Sequence, residues 1–335
     1  MKCIPVQEAV GSILCHDITQ ILPGEFKGRR FKKGHIIQEE DIPVLLSLGK
    51  DNIYVWENLP GMVHENDAAT FLKDITMGDG LTFGEIKEGK ITFTAAHDGL
   101  LKVDADRLFQ LNMLGEISFA SLHNNLPVKK GEAVAGTRVI PLVIDQKKLD
   151  EAKKLLDGYK IIEVKPMKSF NIGIVTTGSE VYYHRIEDKF GPILRGKMEA
   201  YHCTVAGQTF VPDDKEMIEA AIKDWLDKGV DMVFCTGGMS VDPDDLTPSA
   251  IRDTGCEIVT YGTPVLPGAM FLLSYYTDGR PVLGLPGCVM HSKVTVFDLI
   301  FPRILAGEKI TMADIAAFGH GGLCSNCAEC HYPNC

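Results

Sequence analysis

The chain has 335 residues, a length that favours two or three domains, each able to bury an apolar core of its own. Its formal net charge of −11 excludes a general affinity for nucleic acid, because that affinity rests on Lys and Arg displacing counterions from phosphates. The sequence contains no apolar run of membrane-spanning length and no basic-then-apolar signal segment. We therefore expect a cytoplasmic protein with no role at a membrane, whose partners are small molecules or other proteins.

Residues 1–56 alternate strand-like and helix-like patches and predict a small α/β unit. The predicted elements are a strand over 30–37, a helix over 40–48 and a strand over 52–56. Residues 57–165 predict a β-rich module that ends in a linker. Its elements are strands at 90–94, 99–103 and 134–144, and a helix over 146–156.

Residues 166–312 predict an α/β domain with a mostly parallel sheet covered by helices on both faces. The predicted strands are 170–176, 204–211 and 230–235, followed by an antiparallel pair at 270–277 and 281–285. The clearest helix runs from Lys215 to Lys228, because its apolar residues fall on one face. Asp213 or Asp214 can cap the start of this helix, and Gly229 can close its end.

The loops that follow the predicted strands carry the candidate chemistry, because ligands of open α/β sheets lie beyond the carboxyl ends of the strands. These loops are 177–180, 212–214, 236–248 and 286–287. Gly237 and Gly238 allow backbone N–H groups to approach an anion, and a helix starting near Asp245 would add its positive end. The carboxylates of Asp242, Asp244 and Asp245 would repel a phosphate unless a Mg²⁺ ion offset their charge.

Each of these loops also has a purely structural interpretation. Asp213 and Asp214 can be helix caps, and residues 242–245 can form a solvated turn opened by Pro243. Taken singly, the structural interpretation is favoured everywhere except at Gly237 and Gly238. The joint placement of the loops at strand ends favours a binding site.

The same motifs resemble the molybdopterin-binding domain found in molybdopterin adenylyltransferases, molybdenum insertases and competence-damage-inducible proteins. The resemblance covers roughly residues 166–310. It rests on Thr177-Gly178-Ser179-Glu180, Pro212-Asp213-Asp214, Gly237-Gly238 followed by Asp245 and Thr247, and Gly284-Leu285-Pro286-Gly287. The Leu-Pro-Gly motif and the segment 302–307 are most similar to the insertases.

The resemblance implies a ligand, molybdopterin or adenylyl-molybdopterin, held with Mg²⁺, and a role in molybdenum cofactor biosynthesis or delivery. It also implies a pterin or nucleotide as small-molecule partner, a molybdoenzyme apoprotein as recipient, and a homo-oligomer. Asp245 and Asp188 correspond to acidic residues with catalytic roles. The residues implied in binding are Thr177, Gly178, Ser179, Glu180, Asp213, Gly237, Gly238, Ser240, Asp242, Thr247, Pro286 and Gly287.

Three departures from the insertases favour binding over catalysis. Val265 to Met270 stand where insertases place lysines, Cys288-Val289 replaces an Asn-Pro pair, and an Asp-Gly-Tyr-Ala motif is absent from residues 1–165. Three functions remain open: a non-catalytic molybdopterin carrier or sensor, a cofactor-assembly transferase (adenylyl transfer or molybdate insertion), and a nucleotide pyrophosphatase.

The C-terminal tail, residues 313–335, predicts a metal site. Cys324, Cys327, Cys330 and Cys335 have a spacing that suits Zn²⁺ or an iron–sulfur cluster, and His331 can replace one thiolate. Residues 318–322 predict a flexible lead-in, because three of the five are glycine. We therefore expect the tail to bind metal independently of the pterin site.

Overall fold

The computed structural model describes residues 2–22, 26–55 and 60–333. The chain divides into two compact units. The first comprises residues 1–97, 101–124 and 128–164, and the second comprises residues 98–100, 125–127 and 165–335. Within the described residues, every helix is too short or too polar to cross a membrane.

The part of the chain up to residue 165 is mostly β-structure. Its strands are β1 Lys2–Pro5, β2 Ile18–Leu22, β3 Phe26–Phe31, β4 Asn52–Val55, β5 Met62–His64, β6 Leu81–Phe83, β7 Lys90–Ala95, β8 Gly99–Val103, β9 Ile117–Ser121, β10 Pro127–Val128, β11 Ala133–Val139, β12 Val143–Asp145 and β13 Ile162–Lys165. Its helices are α1 Asp41–Ser47, α2 Glu65–Thr76, α3 Ala105–Met113 and α4 Gln146–Leu156. Two apolar clusters stabilise it, one drawn from residues 4–55 and one from residues 68–164.

The structure confirms one predicted helix in this part of the chain and corrects two predicted strands. Helix α4 has the predicted bounds, and Asp145 caps it by accepting a hydrogen bond from the backbone N–H of Lys147. The predicted strand over 30–37 is wrong beyond Phe31, because the chain turns at Gly34, which has a φ of +86°. The predicted strand over 134–144 is two strands, β11 and β12. Trp56, at the end of the strand predicted over 52–56, lies outside the described residues.

The second unit is built on a six-stranded sheet. Its strands are β14 Asn171–Thr177, β15 Thr204–Val211, β16 Met232–Thr236, β17 Glu257–Tyr261, β18 Leu272–Tyr275 and β19 Pro281–Leu285. Their order in the sheet is β15-β14-β16-β19-β18-β17. The first four are parallel to one another, whereas β18 is antiparallel to both of its neighbours. Its helices are α5 Ser179–Tyr182, α6 Phe190–Ala200, α7 Lys215–Asp227, α8 Thr247–Asp253, α9 Val296–Leu305 and α10 Met312–Ala317.

Each face of this sheet has its own apolar core. Ile174 and Phe234 point to the cluster that contains α9, whereas Val175 and Cys235 point to the cluster that contains α7. This alternation is the period of two that a strand requires when both of its faces are buried. The expectation of an α/β fold with a mostly parallel sheet covered on both faces is confirmed.

Helix α7 forms as predicted. The Asp214 side chain caps it by accepting a hydrogen bond from the backbone N–H of Met217, and the chain leaves it through Gly229 at a φ of +78°. Trp225 lies flat on the sheet because two strand residues are glycines: a Cβ atom at Gly173 or Gly207 would come within 2.6 Å of the indole ring. The helix is thereby held against β14 and β15.

Strand β17 was not predicted from the sequence, and helix α6 was expected only as a helix of unspecified bounds between the first two strands. Strand β17 pairs antiparallel with β18 at the edge of the sheet. Helix α6 follows Asp188, whose carboxylate accepts hydrogen bonds from the backbone N–H groups of Phe190 and Gly191. Both elements contribute to the candidate site described below.

A buried ion pair near the end of the second unit predicts how stability depends on pH. The guanidinium of Arg303 is 9% exposed and bonds Glu308 and Asp314. Burial opposes the charge on Asp314, yet hydrogen bonds from Thr311 and Arg303 lower its pKa from 3.8 to about 2. Because this pKa is depressed in the folded state, its contribution to stability is present above pH 3.8 and lost as the pH falls towards 2.

We therefore expect Asp314→Asn to flatten the rise in unfolding free energy between pH 2 and pH 4, since the variant has no carboxylate to titrate. Urea denaturation at several pH values measures this dependence. Asp227→Asn, at the exposed end of α7, is the matched control and should leave the rise unchanged. An equal flattening in both variants would contradict the assignment to Asp314.

Candidate functional site

The four predicted loops leave the sheet at one edge. Thr177 of β14 is in register with Val211 of β15, Thr176 with Thr236 of β16, and Thr236 with Leu285 of β19. The four parallel strands therefore end level with one another. The segments that begin at Gly178, Pro212, Gly237 and Pro286 start from adjacent positions along this edge, as the sequence predicts.

Gly237 and Gly238 are fixed against two buried threonines. A Cβ atom at Gly237 would lie 2.1 Å from the carbonyl oxygen of Thr177, and one at Gly238 would lie 2.9 Å from the Thr247 hydroxyl oxygen. Both glycines have positive φ angles, +86° and +53°. The Thr247 hydroxyl donates to the carbonyl of Gly237 and lies 3.0 Å from the Thr177 hydroxyl. The diglycine turn is therefore held close to the end of β14 with no room for side chains.

The first and second loops are joined to each other. The Asp213 carboxylate accepts a hydrogen bond of 2.8 Å from the backbone N–H of Ser179, and the Ser179 hydroxyl accepts one of 3.4 Å from the N–H of Asp213. Gly178 precedes this contact with a φ of +135°. Glu180 is exposed at the surface of the short helix α5. Asp213 thus holds the first loop, and the adjacent Asp214 caps α7.

The acidic segment after the diglycine turn is a tight, exposed turn. The Asp245 carboxylate accepts a hydrogen bond from the backbone N–H of Asp242, and the N–H of Asp245 donates to the carbonyl of Asp242. Asp242 and Asp244 are exposed, and Asp245 is partly buried. Helix α8 begins two residues later than predicted, at Thr247.

Tyr261 supports this turn and was missed from the sequence. Its hydroxyl donates to the backbone carbonyls of Met239 and Ser240, at 3.0 and 2.9 Å. Burial, together with the charge of Asp245, raises the pKa of the Tyr261 phenol. Tyr261 ends β17, so the unpredicted edge strand positions the diglycine loop.

A line of polar side chains crosses the strands just below the loops. The Gln208 amide donates to the Thr176 hydroxyl at 2.9 Å and to the Asp188 carboxylate at 2.7 Å, and the Thr236 hydroxyl donates to Thr176 at 3.0 Å. Asp188 is therefore tied to the sheet as well as to the start of α6. These contacts fix the position of the Asp188 carboxylate.

Asp188 also lines a cavity of about 410 Å³ beside the first loop. The cavity is bounded by Val181, Arg185, Ile186 and Phe210 together with this carboxylate. Its size suits a small organic ligand. It places two acidic side chains, Glu187 and Asp188, and the basic side chain of Arg185 next to apolar surface at the edge where the loops lie.

The last loop begins at Pro286, which is buried, and continues through Gly287, which is exposed and starts a short 3₁₀ turn. Behind it, the side chain of Met239 packs on Gly284, where a Cβ atom would come within 2.5 Å of the methionine methyl group. The diglycine loop is thus anchored on the strand that delivers Pro286.

Within the described residues, no group of three or more His, Cys, Asp or Glu side chains is arranged to hold a metal ion. This holds for the acidic turn and for the described part of the tail. Cys335, the fourth cysteine of the predicted tail site, lies outside the described residues.

The tail is packed on the second unit, so the expectation of a flexible lead-in is wrong. The backbone N–H of Leu266 donates to the carbonyl of Gly322, and the N–H of Cys324 donates to the carbonyl of Leu266. A Cβ atom at Gly322 would lie 2.4 Å from the carbonyl oxygen of Pro264. Tyr332 is 6% exposed and belongs to the same apolar cluster as α9. Glycine at position 322 therefore serves close packing.

Comparison with known proteins identifies two family matches. Residues 173–306 match the family described as "Probable molybdopterin binding domain", and residues 3–57 match a domain of unknown function. A molybdopterin molybdenumtransferase of Synechococcus elongatus is 26% identical over 144 residues, which cover 40% of this chain and 36% of that protein. The enzyme of the same name from Haemophilus influenzae is 27% identical over 218 residues, which cover 59% of this chain and 51% of that protein.

Among solved structures, the molybdopterin biosynthesis enzyme MoaB of Thermus thermophilus is similar, with 20% identity and a TM-score of 0.34. The match covers 42% of this chain and 98% of that one. The chain spans only 36% and 51% of the lengths of the two molybdenumtransferases. Residues 173–306, which contain all four strand-end loops described above, match the family described as a probable molybdopterin binding domain.

Proposed function

We propose that the second unit binds molybdopterin or its nucleotide and acts in molybdenum cofactor biosynthesis or delivery. The observation that carries the proposal is the alignment of four loops at one sheet edge, with the diglycine turn packed on Thr177 and Thr247. Backbone N–H groups of such a turn suit a phosphate, and a nearby carboxylate suits the amino and N–H edge of a pterin ring. The family of residues 173–306 and the names of the relatives support the same ligand.

Asp245 is the residue we propose to contact the pterin or a metal ion bound with it. It is partly buried at the base of the acidic turn, whereas Asp242 and Asp244 are exposed. A Mg²⁺ ion bound with the nucleotide would accept these carboxylates as oxygen ligands and reduce their repulsion of a phosphate. Asp188 is engaged by Gln208 and by α6, so we propose that it shapes the cavity wall.

Binding and delivery are better supported than molybdate insertion. The segment where insertases place lysines contains Leu266 and Ala269, and the backbone of Leu266 is bonded to the tail. We therefore propose that this segment contributes less fixed positive charge for anion stabilisation than the corresponding lysines of the insertases. A molybdoenzyme apoprotein is the recipient that a delivery role requires.

The small molecule that copurifies with the full chain tests the proposal. We expect a pterin, released by denaturation and detected after oxidation by its fluorescence, in a fixed ratio to protein. A bare nucleotide in its place would favour the pyrophosphatase activity instead. The proposal would be overturned if no pterin copurified and added molybdopterin showed no saturable binding.

A metal site in the tail is a second part of the proposal. Cys324, Cys327 and Cys330 line one cavity of about 230 Å³ together with His291 and His331. Thiolates and imidazoles are preferred zinc ligands, and four thiolates also suit an iron–sulfur cluster. The described side chains do not form a metal cage, so closing the site would require their movement, with Cys335 or His331 as the fourth ligand. Colour and elemental analysis of protein purified without oxygen distinguish zinc from iron.

Deleting residues 324–335 should lower the thermal stability of the second unit as well as remove the metal. Tyr332 is buried in the core cluster, and Cys324 and Cys330 pack against it, so truncation exposes apolar surface. Thermal unfolding of the truncated and full chains, each stripped of metal by a chelator, measures the effect of packing alone. Equal melting temperatures of the two stripped proteins would contradict this account.

A further inference from the structure

The first unit contains two adjoining cavities that the proposed pterin site does not use. They have volumes of about 420 and 310 Å³ and share the lining residues His16, Asp17, Glu65 and Glu88. The larger cavity is of a size that holds a small organic ligand. His16 and Asp17 come from the segment that matches a domain of unknown function, and Glu65 begins α2.

Glu65 is a largely buried residue that lines both cavities. The residue is 7% exposed, and no hydrogen bond or ion pair joins its side chain to another described residue. Its carboxylate oxygens are not among the fully buried atoms without a partner, so they reach the space of the cavities. A Cβ atom at Gly89 would lie 2.8 Å from the Cβ of Glu65, so glycine is needed there to leave the Glu65 side chain its space. Burial raises the pKa of Glu65, and the nearby Glu88 acts in the same direction against the opposing charge of Arg138.

His16 provides a second unmet hydrogen-bonding group in the same place. Its Nδ1 atom is buried and has no hydrogen-bond partner among the described residues. Burial lowers the pKa of this imidazole, and the positive charge of Lys50 lowers it further. The ring is therefore neutral near pH 7 and adds no positive charge that would satisfy the carboxylates.

Two other carboxylates on the same cavities accept hydrogen bonds from described residues, Asp17 strongly and Glu88 weakly. The Asp17 carboxylate accepts a hydrogen bond from Arg29 at 3.0 Å and one from the backbone N–H of Lys33 at 2.7 Å. Glu88 accepts a long hydrogen bond from the Thr19 hydroxyl at 3.4 Å. A carboxylate buried without donors is costly, and such groups concentrate where a ligand completes the hydrogen bonding.

We propose that the larger cavity binds a small organic cation, of the guanidinium or alkylammonium class, whose N–H groups donate to Glu65 and Glu88. Such a cation supplies donors to both carboxylates. It also adds positive charge to a lining in which Asp17, Glu65 and Glu88 outnumber the single lysine, Lys50. The side chain of Tyr54, which also lines the cavity, offers an aromatic surface to the cation. The residues of this site belong to the first unit, whereas the strand-end loops belong to the second.

Calorimetric titration of the full chain with agmatine and with methylguanidine tests this site. We expect saturable binding by the wild-type protein and a loss of at least about tenfold in affinity in Glu65→Gln, because a neutral amide cannot offset the cation. Glu151→Gln, at an exposed position on α4, is the matched control and should bind like the wild type. Thermal unfolding of each variant verifies that it is folded.

Two results would overturn the inference. One is the absence of saturable binding of both cations to the wild-type protein at millimolar concentration. The other is equal affinity of the wild type and the folded Glu65→Gln variant. Neither result bears on the pterin site, because its residues lie in the second unit.

Discussion

Replacing Gly237 by Ala is expected to destabilise the second unit by at least about 3 kcal/mol and to abolish pterin binding. The added methyl group would lie 2.1 Å from the carbonyl oxygen of Thr177, a backbone atom in a buried strand. The positive φ of +86° adds the strain that an L side chain meets in this region. The loop must therefore move away from β14. Urea denaturation and titration with molybdopterin measure the two effects.

Gly229→Ala separates the effect of the steric clash from the effect of the positive φ angle. Gly229 has a similar φ of +78°, but a Cβ atom there meets nothing within 4 Å. This variant should lose only about 1–2 kcal/mol through backbone strain and keep its affinity for the pterin. A cost at Gly237 no larger than the cost at Gly229 would show that the close approach to Thr177 does not constrain the loop.

Asp245→Ala is expected to weaken molybdopterin-nucleotide binding by about tenfold or more, the effect of losing a hydrogen bond or metal contact made by a charged group. The variant should remain folded, because Asp245 lies in a surface turn and bonds only the nearby backbone of Asp242 among the described residues. Part of the loss would come from the loosened turn. Calorimetric titration of the purified variant gives the affinity.

Asp244→Ala is the matched control for this experiment. Asp244 belongs to the same turn and carries the same charge, but it is exposed. Its replacement should change affinity by much less, since exposed charges are screened by solvent. Equal losses in the two variants would mean that the turn acts only through its net charge. An unchanged affinity in Asp245→Ala would remove Asp245 from the site.

The sequence predicts most of the second unit because its elements have clear local patterns. Helix α7 was placed from the spacing of residues such as Ile218 and Trp225, and β15 from its apolar run. Strand β17 was missed although Ile258, Val259, Thr260 and Tyr261 are residue types that favour strands. The position of β17 at the edge of the sheet depends on its pairing with β18, and a local sequence pattern does not encode this pairing.

In the candidate site, too, residues with a local sequence pattern were predicted, whereas residues that act through long-range contacts were missed. Gly237 and Gly238 are visible in the sequence because paired glycines mark a special backbone. Gln208 and Tyr261 were missed, since each lies within a strand and acts on residues 20 or more positions away. Their roles depend on sheet order, so only the folded chain brings them to the loops they support.

The packing of Trp225 on the sheet makes this residue an intrinsic fluorescence probe of the second unit. Its indole N–H donates to the Thr209 hydroxyl at 3.1 Å, and its ring lies against two glycine residues of β14 and β15. Loss of this packing exposes the ring to water, which shifts indole emission to longer wavelength. Replacing Trp56, the other tryptophan, by Phe leaves a chain whose tryptophan fluorescence comes from the second unit alone. Unfolding of that unit can then be followed without any attached label.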